Sequence, residues 1–430
     1  MTEAVVIGGG VIGCAVAWEL VRAGARATVV EGNGDVGHGS TSASCGIVRR
    51  FYSTPTMTAM AHEGAATWAD WGAHLGLGGD VQLARFHRPG MLFVPSGIDE
   101  RVEGIVGHMR AIGVPVELLT PEEVAARFPY LDTSSHRPIR RPGDDDFFDA
   151  SGRPIPGAVF EPDAGYVVSP MLATQNLRRV GERDGVAFRF GSRVAAVRRD
   201  VGGRRFKLEL ADGSPLEADV VVNAGGPHSG AIHRIVGCEL PIETRPLRRE
   251  VCAVRNPEAE GPPVPVVGDV DSGIYFRTEA GEHDLIVGSL DPECDELEWL
   301  DDPDDLDVTS TPEAFERQVL RLMKRFPAVE LGPRRGVAGL YDVTPLDWNP
   351  VLDRTDMDGY YVAIGTSGSS FKTAPVIGAL VARLVDACEG GLDHDRTPLR
   401  WTLPRIGQEV DVAFFSRLRG AHATSATVLG

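Results

Sequence analysis

Glycines at positions 8, 10 and 13, in AVVIGGGVIG, stand between an apolar strand-like run and an apolar helical pattern, and Glu31 follows one strand later. Glycine lets a backbone approach a pyrophosphate. The first turn of a helix offers N–H groups without internal partners, and a carboxylate accepts hydrogen bonds from ribose hydroxyls. G-x-G-x-x-G followed by an acid therefore points to a dinucleotide. The acid at 31 argues against the 2′-phosphate of NADP and leaves NAD and FAD open. The second residue with chemical potential is Lys372. Of 43 basic residues only three are lysines, and Lys207 and Lys324 sit among arginines and acids. Lys372 lies instead in GTSGSSFKTAPVIGALV, a Gly/Ser turn entering an apolar helix. An ammonium there is either an exposed side chain at a helix start or a group with a task.

The elements that must position these residues are legible in the hydrophobic pattern. AVVIG, VIGCAVAWELVRAG and ATVVE read as strand, helix and strand, with Gly24 closing the helix. The small-residue stretch GNGDVGHGSTSASCG has no period, as expected where backbone approaches another group closely. Residues 85–150 show short β-like pieces and a helix at PEEVAARF, ending in an exposed loop, RRPGDDDFFDASGRP. Alternation of helix and strand returns over 166–230, with a helix from Ser169, strands near 186–197 and 206–210, and the buried strand ADVVVNAGG. Residues 240–333 carry longer strands, VCAVR, GIYFRTE and DLIVGSL, and a helix over 312–325; Tyr275 and Arg277 share one strand face by period-two alternation. The expected class is α/β, with a Rossmann-type domain assembled from 1–84, 151–237 and 334–400. Interleaved with it is an α+β substrate domain on a mostly antiparallel sheet, from 85–150 and 238–333. The tail 401–430 reads as a final helix packed on the core or on a partner.

Bulk properties exclude several functions. With 61 acidic against 43 basic residues the net charge is -18, which opposes nucleic-acid binding. The six cysteines are scattered without a C-x-x-C pair, so neither zinc nor a disulfide framework is expected, and a reducing cytoplasm is. The N-terminal run AVVIGGGVIGCAVAWELV has the apolar character of a signal peptide, but no basic segment precedes it and glycines interrupt it; no other segment approaches the roughly 20 apolar residues of a membrane span. The acidic run DPECDELEWLDDPDDLD lacks calcium-loop spacing and reads as a solvated loop, and Asp342 and Asp347 read as exposed turn acids.

Six stretches, in order, resemble one family: IGGGVIGCAVAWELVRAGARATVVE, GSTSASCGIVRRFYS, EPDAGYVVSP, ADVVVNAGGPHS, GLYDVTPLDWNP and GTSGSSFKTAPVIGALV. The family is the FAD-dependent D-amino-acid oxidase superfamily, in its sarcosine oxidase and dimethylglycine dehydrogenase branch. The resemblance implies a glutathione-reductase-like FAD-binding domain in which Gly8, Gly10, Val11, Ile12, Gly13 and Glu31 hold the ADP half. It places Gly39, Ser40, Thr41 and Ser44 along the pyrophosphate and flavin edge, Val194 at the adenine, and Ala224, Gly225 and Gly226 over the phosphates. Gly339, Tyr341, Gly368, Ser369, Ser370, Phe371 and Lys372 fall on the flavin side. In that branch an arginine matching Arg49 and the lysine matching Lys372 bind the substrate carboxylate, and the strand of Tyr275 roofs the flavin. Arg50 competes with Arg49 for the role, and Tyr275 is either a substrate-site wall or ordinary packing.

The implied activity is oxidation of a carboxylate-bearing amine, a secondary or primary amino acid, to the imine by hydride transfer to flavin N5. The substrate is a small amino or imino acid, and the electrons pass to O2 or another acceptor. Two departures matter. The attachment positions for covalent flavin are Gly339 and a site near Ala43, so FAD is expected to be non-covalent. The oxygen-activating lysine of oxidase members is replaced by Ile286, which favours a dehydrogenase. The alternatives are a 2-hydroxy-acid oxidase or dehydrogenase, a non-catalytic flavoprotein, and an NAD enzyme that would leave the C-terminal turn unexplained.

Overall fold

The computed structural model describes residues 1–149, 151–199, 205–279 and 281–425. Strand Glu3–Ile7 (β1), helix Val11–Arg22 (α1) and strand Arg26–Val30 (β2) form the expected unit, with β1 and β2 parallel. They belong to a six-stranded sheet running Val351–Arg354, Tyr360–Ile364, Val220–Asn223, β1, β2, Ala187–Arg189. Its strands are parallel except Val351–Arg354. Central strands of such a sheet are covered on both faces, which is why they read as unbroken apolar runs. Val6 and Val222 pack with the helices on one side, and Val5, Ile7 and Val221 with Phe206 and Leu208 on the other.

Helix Ala374–Glu389 packs along α1 at very close range. A Cβ at Gly378 would sit 2.7 Å from the Ala15 backbone carbon. Gly378 and Ala15 are each four residues into their helix, and both helices follow strands pointing the same way. Their N-termini therefore lie side by side, which carries the turn before Lys372 to the glycine motif.

The second sheet has nine strands, in the order Glu298–Trp299, Arg245–Arg255, Asp284–Ser289, Ile274–Thr278, Val266–Asp269, Met91–Val94, Ala158–Glu161, Glu117–Leu119, with Gly336–Val343 also paired to Arg245–Arg255. All pairings but Val266–Asp269 with Met91–Val94 are antiparallel. Ile274 and Phe276 point to a core closed by Phe315, Val319 and Leu322 of helix Pro312–Arg325. Tyr275 points to the opposite face, where its neighbours across the ladder are Gly268 and Gly288.

Several expectations need correction. Strand Ala158–Glu161 joins the nine-stranded sheet, as does Gly336–Val343, so residues 151–161 and 334–343 extend the antiparallel layer rather than the Rossmann layer. Pairing partners remote in sequence decide this, and short apolar strands read alike in either sheet. The stretch 186–197 splits between Ala187–Arg189 in the parallel sheet and Val194–Arg199 in a separate three-stranded sheet. In the loop from Arg140 to Pro154, residue 150 lies outside the described residues. Phe148 there is exposed, whereas Phe147 is buried and its carbonyl accepts from Lys324 Nζ at 2.6 Å.

The tail is not a helix. Arg400–Thr402 and Glu409–Asp411 form a hairpin, followed by a 3-10 turn at Val412–Phe415, and Trp401, Leu403, Val410, Val412 and Phe415 fill the main core; residues 426–430 lie outside the described set. Glu63, buried on helix Pro55–Ala69, accepts from the backbone N–H groups of Arg405 and Ile406 at 3.1 Å. Removing that carboxylate strands two amides under the tail. Glu63→Ala is expected to destabilise by about 1–3 kcal/mol, read as a lower midpoint in urea with an unchanged slope; an unaltered midpoint would refute the clasp.

Candidate active site

Gly8 adopts φ +112, and a Cβ there would lie 2.4 Å from the Ala224 carbonyl oxygen. A Cβ at Gly13 would lie 1.9 Å from the Gly8 oxygen. The turn thus depends on glycine both for its dihedral and for its contact with α1. Gly10 caps α1 without a side chain, and the Val11 N–H, with Ile12 following it in the first turn, is met by Thr41 Oγ1 at 3.2 Å. Glu31 accepts from the Gly9 N–H at 2.6 Å and the Asn33 N–H at 2.8 Å. Val194 begins its strand close by, since the Ser192 N–H donates to the Glu31 carbonyl at 3.0 Å. Ala224 also bonds the Ile7 carbonyl, which brings the turn through Gly225 and Gly226 against the glycine motif. Gly39 opens the loop with φ +76, and Ser40 has a buried hydroxyl without a partner among the described residues. A cradle that no side chain can enter, a helix start capped only by a loop hydroxyl, an acid just after β2 beside the glycine turn and an orphaned hydroxyl all fit a dinucleotide cofactor.

Beyond the cradle lies a cavity whose lining includes Ser44, Arg49, Tyr275, Tyr341, Phe371 and Lys372. It is roofed by the nine-stranded sheet. The Tyr275 ring lies over Gly288, where a Cβ would come within 2.4 Å of it, so glycine is what admits the ring. Its hydroxyl is 3.3 Å from Cys45 Sγ, and burial first, then Cys45, pushes that phenol well above the usual range. Tyr341 lies over Gly368, whose φ is +70, and burial pushes its hydroxyl up to about 12. Gly339 faces the Ala43 methyl, 2.5 Å from a hypothetical Cβ.

Lys372 is buried at 3% exposure, not an exposed residue at a helix start. Its ammonium donates to the Ser369 carbonyl at 2.7 Å and the Tyr52 hydroxyl at 2.8 Å, and burial lowers its pKa from the ordinary lysine value. Phe371 stacks on Trp68 at 5.2 Å, Trp68 Nε1 donates to the Lys372 carbonyl, and Ser370 Oγ bonds the Thr366 carbonyl, so the turn is rigid. Arg49 lies on the same cavity with its guanidinium 4.1 Å from the Tyr52 ring centre. Arg50 points elsewhere, to buried Glu161 at 2.9 Å, which also accepts from the Phe51 N–H at 3.0 Å. Of the two arginines, Arg49 lines the cavity and Arg50 does not.

Asp342 and Asp347 are buried, contrary to expectation. Asp347 is covered by Arg419 of the tail at 3.0 Å. Asp342 accepts from the Gly365 N–H at 2.6 Å and Ser229 Oγ at 3.2 Å, tying the strand of Gly339 and Tyr341 to the Lys372 turn. Burial pushes its carboxyl up to about 7, against the pull of those donors. The native state then holds a proton that the unfolded chain releases near the ordinary value. The stabilisation is complete below about pH 4 and is lost as pH rises through 7. Asp342→Asn is expected to flatten the fall of Tm across that window; an identical slope in the variant would remove the assignment.

The acidic loop is also less solvated than expected. Asp295 turns its side chain inward onto Arg321 at 2.6 Å, and Asp291, with φ 55, pairs with half-buried Arg249 above Tyr341. Sequence reasoning missed Tyr52, Cys45 and Arg249. The available signals were a tyrosine three residues after Arg49 and a charged residue within a strand-like run.

Residues 3–384 match the family model described as DAO, FAD dependent oxidoreductase. The chain belongs to the DAO family. Among curated relatives of this DAO protein, the FAD-dependent oxidoreductase domain-containing protein 1 of Bos taurus is 29% identical over 89% of this chain and 81% of its own. The sarcosine oxidase subunit beta of an Arthrobacter species is 24% identical over 89% and 86%. Among solved structures, the L-proline dehydrogenase of P. horikoshii superposes with a TM-score of 0.74 at 22% identity, over 98% of this chain and 99% of that one. Likeness at that identity speaks to the DAO fold. Among the described residues no helix is long and apolar enough to cross a membrane, and no three His, Cys, Asp or Glu side chains gather to hold a metal.

Proposed function

We propose that this DAO protein oxidises a small carboxylate-bearing amine, a secondary or primary amino acid, to the imine. The observation that carries the reading is the convergence of Arg49 and Lys372, 323 residues apart in sequence, on one cavity beside the glycine cradle. A guanidinium fork and an ammonium suit a carboxylate, and fixing it orients the Cα–H of the substrate. FAD, when bound, supplies the hydride acceptor. Met91, Leu290 and Phe371 contribute apolar wall that excludes water, and Tyr275 closes the roof. The substrate amine reacts unprotonated. Among the described residues no histidine lines the cavity, which disfavours a 2-hydroxy acid needing a base at its hydroxyl.

Non-covalent attachment is supported by Gly339 and Ala43, which face each other without a nucleophile. A dehydrogenase is supported by Ile286. Its cross-strand neighbour Arg277 is turned away, to the Cys45 carbonyl at 2.7 Å and the Thr278 carbonyl, and so adds no cation to the cavity. The relatives named above for sarcosine and L-proline agree with this substrate class. The test is anaerobic bleaching of the yellow holoenzyme by a panel of N-methyl, cyclic and simple amino acids and 2-hydroxy acids. Bleaching by 2-hydroxy acids alone would overturn the reading. Faster turnover with a dye than with O2 would separate dehydrogenase from oxidase.

A further inference from the structure

The two cavity cations share a partner that itself stays outside the cavity. Tyr52 is buried at 1% exposure; Arg49 lies over its ring at 4.1 Å, and Lys372 Nζ is 5.5 Å from the ring centre and donates to the hydroxyl at 2.8 Å. The hydroxyl is well placed to accept and badly placed to donate. Its own acceptor, the Ser369 carbonyl, is 3.4 Å away and already takes the shorter bond from Lys372 at 2.7 Å. Two buried cations side by side are costly unless a negative charge balances them. Before substrate arrives, the oxygen placed to supply that charge is the Tyr52 phenol.

Of the other charged groups around Tyr52, Glu161 lends some negative charge to Lys372 and to the Tyr52 hydroxyl but is itself paired. Glu161, on the strand Ala158–Glu161, is bound to Arg50 and the Phe51 amide. His62, on helix Pro55–Ala69, is held below the ordinary histidine value by burial and then by Arg50, so it adds no charge near neutrality. Arg49 and Lys372 remain, one from each end of the chain. Burial pushes the Tyr52 hydroxyl upward, but Arg49 and Lys372 outweigh it and hold it below the ordinary tyrosine value.

We propose, building on the amino-acid reading above, that Tyr52 is a positioning residue that holds Arg49 and Lys372 convergent and balances them as phenolate. When a substrate carboxylate docks and brings its own negative charge, the phenolate takes a proton from solvent. One O–H bond forms on Tyr52 and water supplies the proton. Carboxylate binding is thus coupled to proton uptake, and affinity falls as pH rises.

The test uses the FAD holoenzyme and propionate, a carboxylate with no amine to oxidise, with propionamide as its neutral counterpart. Propionate is expected to perturb the flavin spectrum, to remove the phenolate ultraviolet band and to draw protons from a weakly buffered solution. In Tyr52→Phe the ring and its stacking with Arg49 remain, but proton uptake and the ultraviolet change are expected to vanish. Propionate affinity is expected to lose its pH dependence, while propionamide is unaffected. Propionate binding to the wild type without proton uptake, or equal uptake in the variant, overturns this inference and leaves the amino-acid reading standing. No propionate binding at all overturns that reading. If Tyr52→Phe loses its flavin, the wild-type difference spectrum decides: loss of the phenolate band on propionate binding supports the inference, and an unchanged band overturns it.

Discussion

Lys372→Met is expected to lower kcat/KM for the amino-acid substrate by about 100- to 1000-fold, from the loss of a charge-assisted contact in a water-poor cavity. Methionine keeps the length and much of the volume of the side chain, so the stacked Phe371 and the following helix retain their support. What disappears is an ammonium that the structure buries at 3% exposure and aims with two hydrogen bonds. The loss should concentrate on substrates with a carboxylate and spare a neutral amine of the same shape. Flavin content should be unchanged, because the cradle at Gly8, Gly13 and Glu31 is untouched. Steady-state kinetics on the amino acid and its amide would show this; equal losses on both would mean that Lys372 acts on something other than the carboxylate.

Gly13→Ala is expected to yield protein that purifies colourless, with FAD affinity reduced at least about 100-fold, equivalent to about 3 kcal/mol. The added methyl would sit 1.9 Å from the Gly8 carbonyl oxygen and 3.1 Å from its carbon. Both are backbone atoms in the first turn of the motif, so no side chain can swing aside. Relief requires α1 to move off β1, and that displaces the helix start and opens the packing of Ala15 on Gly378. Flavin absorbance after gel filtration and a thermal melt would measure both consequences. A yellow Gly13→Ala protein with unchanged Tm would show that α1 can move off the motif at little cost.

Local chemistry is legible wherever one short segment contains its own reason. The βαβ unit, the Ser169 cap of Pro170–Asp184 and the helix Pro312–Arg325 follow from period, capping residue and breaker within a dozen positions. Alternation alone puts Tyr275 on the face opposite Ile274 and Phe276, and the ladder places it there. Legibility ends where the partner is remote. Asp342 resembles a turn acid because its donors, Gly365 and Ser229, lie more than twenty residues away in opposite directions. The tail resembles a helix because its apolar residues alternate too briefly to reveal a hairpin, and because Glu63, which receives its amides, stands 342 positions earlier.

The sequence by itself determined the dinucleotide motif, the two kinds of layer and the identity of the unusual lysine, since each rests on spacing within one segment and on what a glycine, an acid or an ammonium can do. Tertiary structure decided which arginine meets Lys372, what holds the pair together and which acids are buried. Glu161 holds Arg50 in a separate pair, and Tyr52 joins Arg49 to Lys372 across the length of the chain. The physical reason is that charge is costly to bury, so each buried ion's role is set by the partner that folding delivers to it.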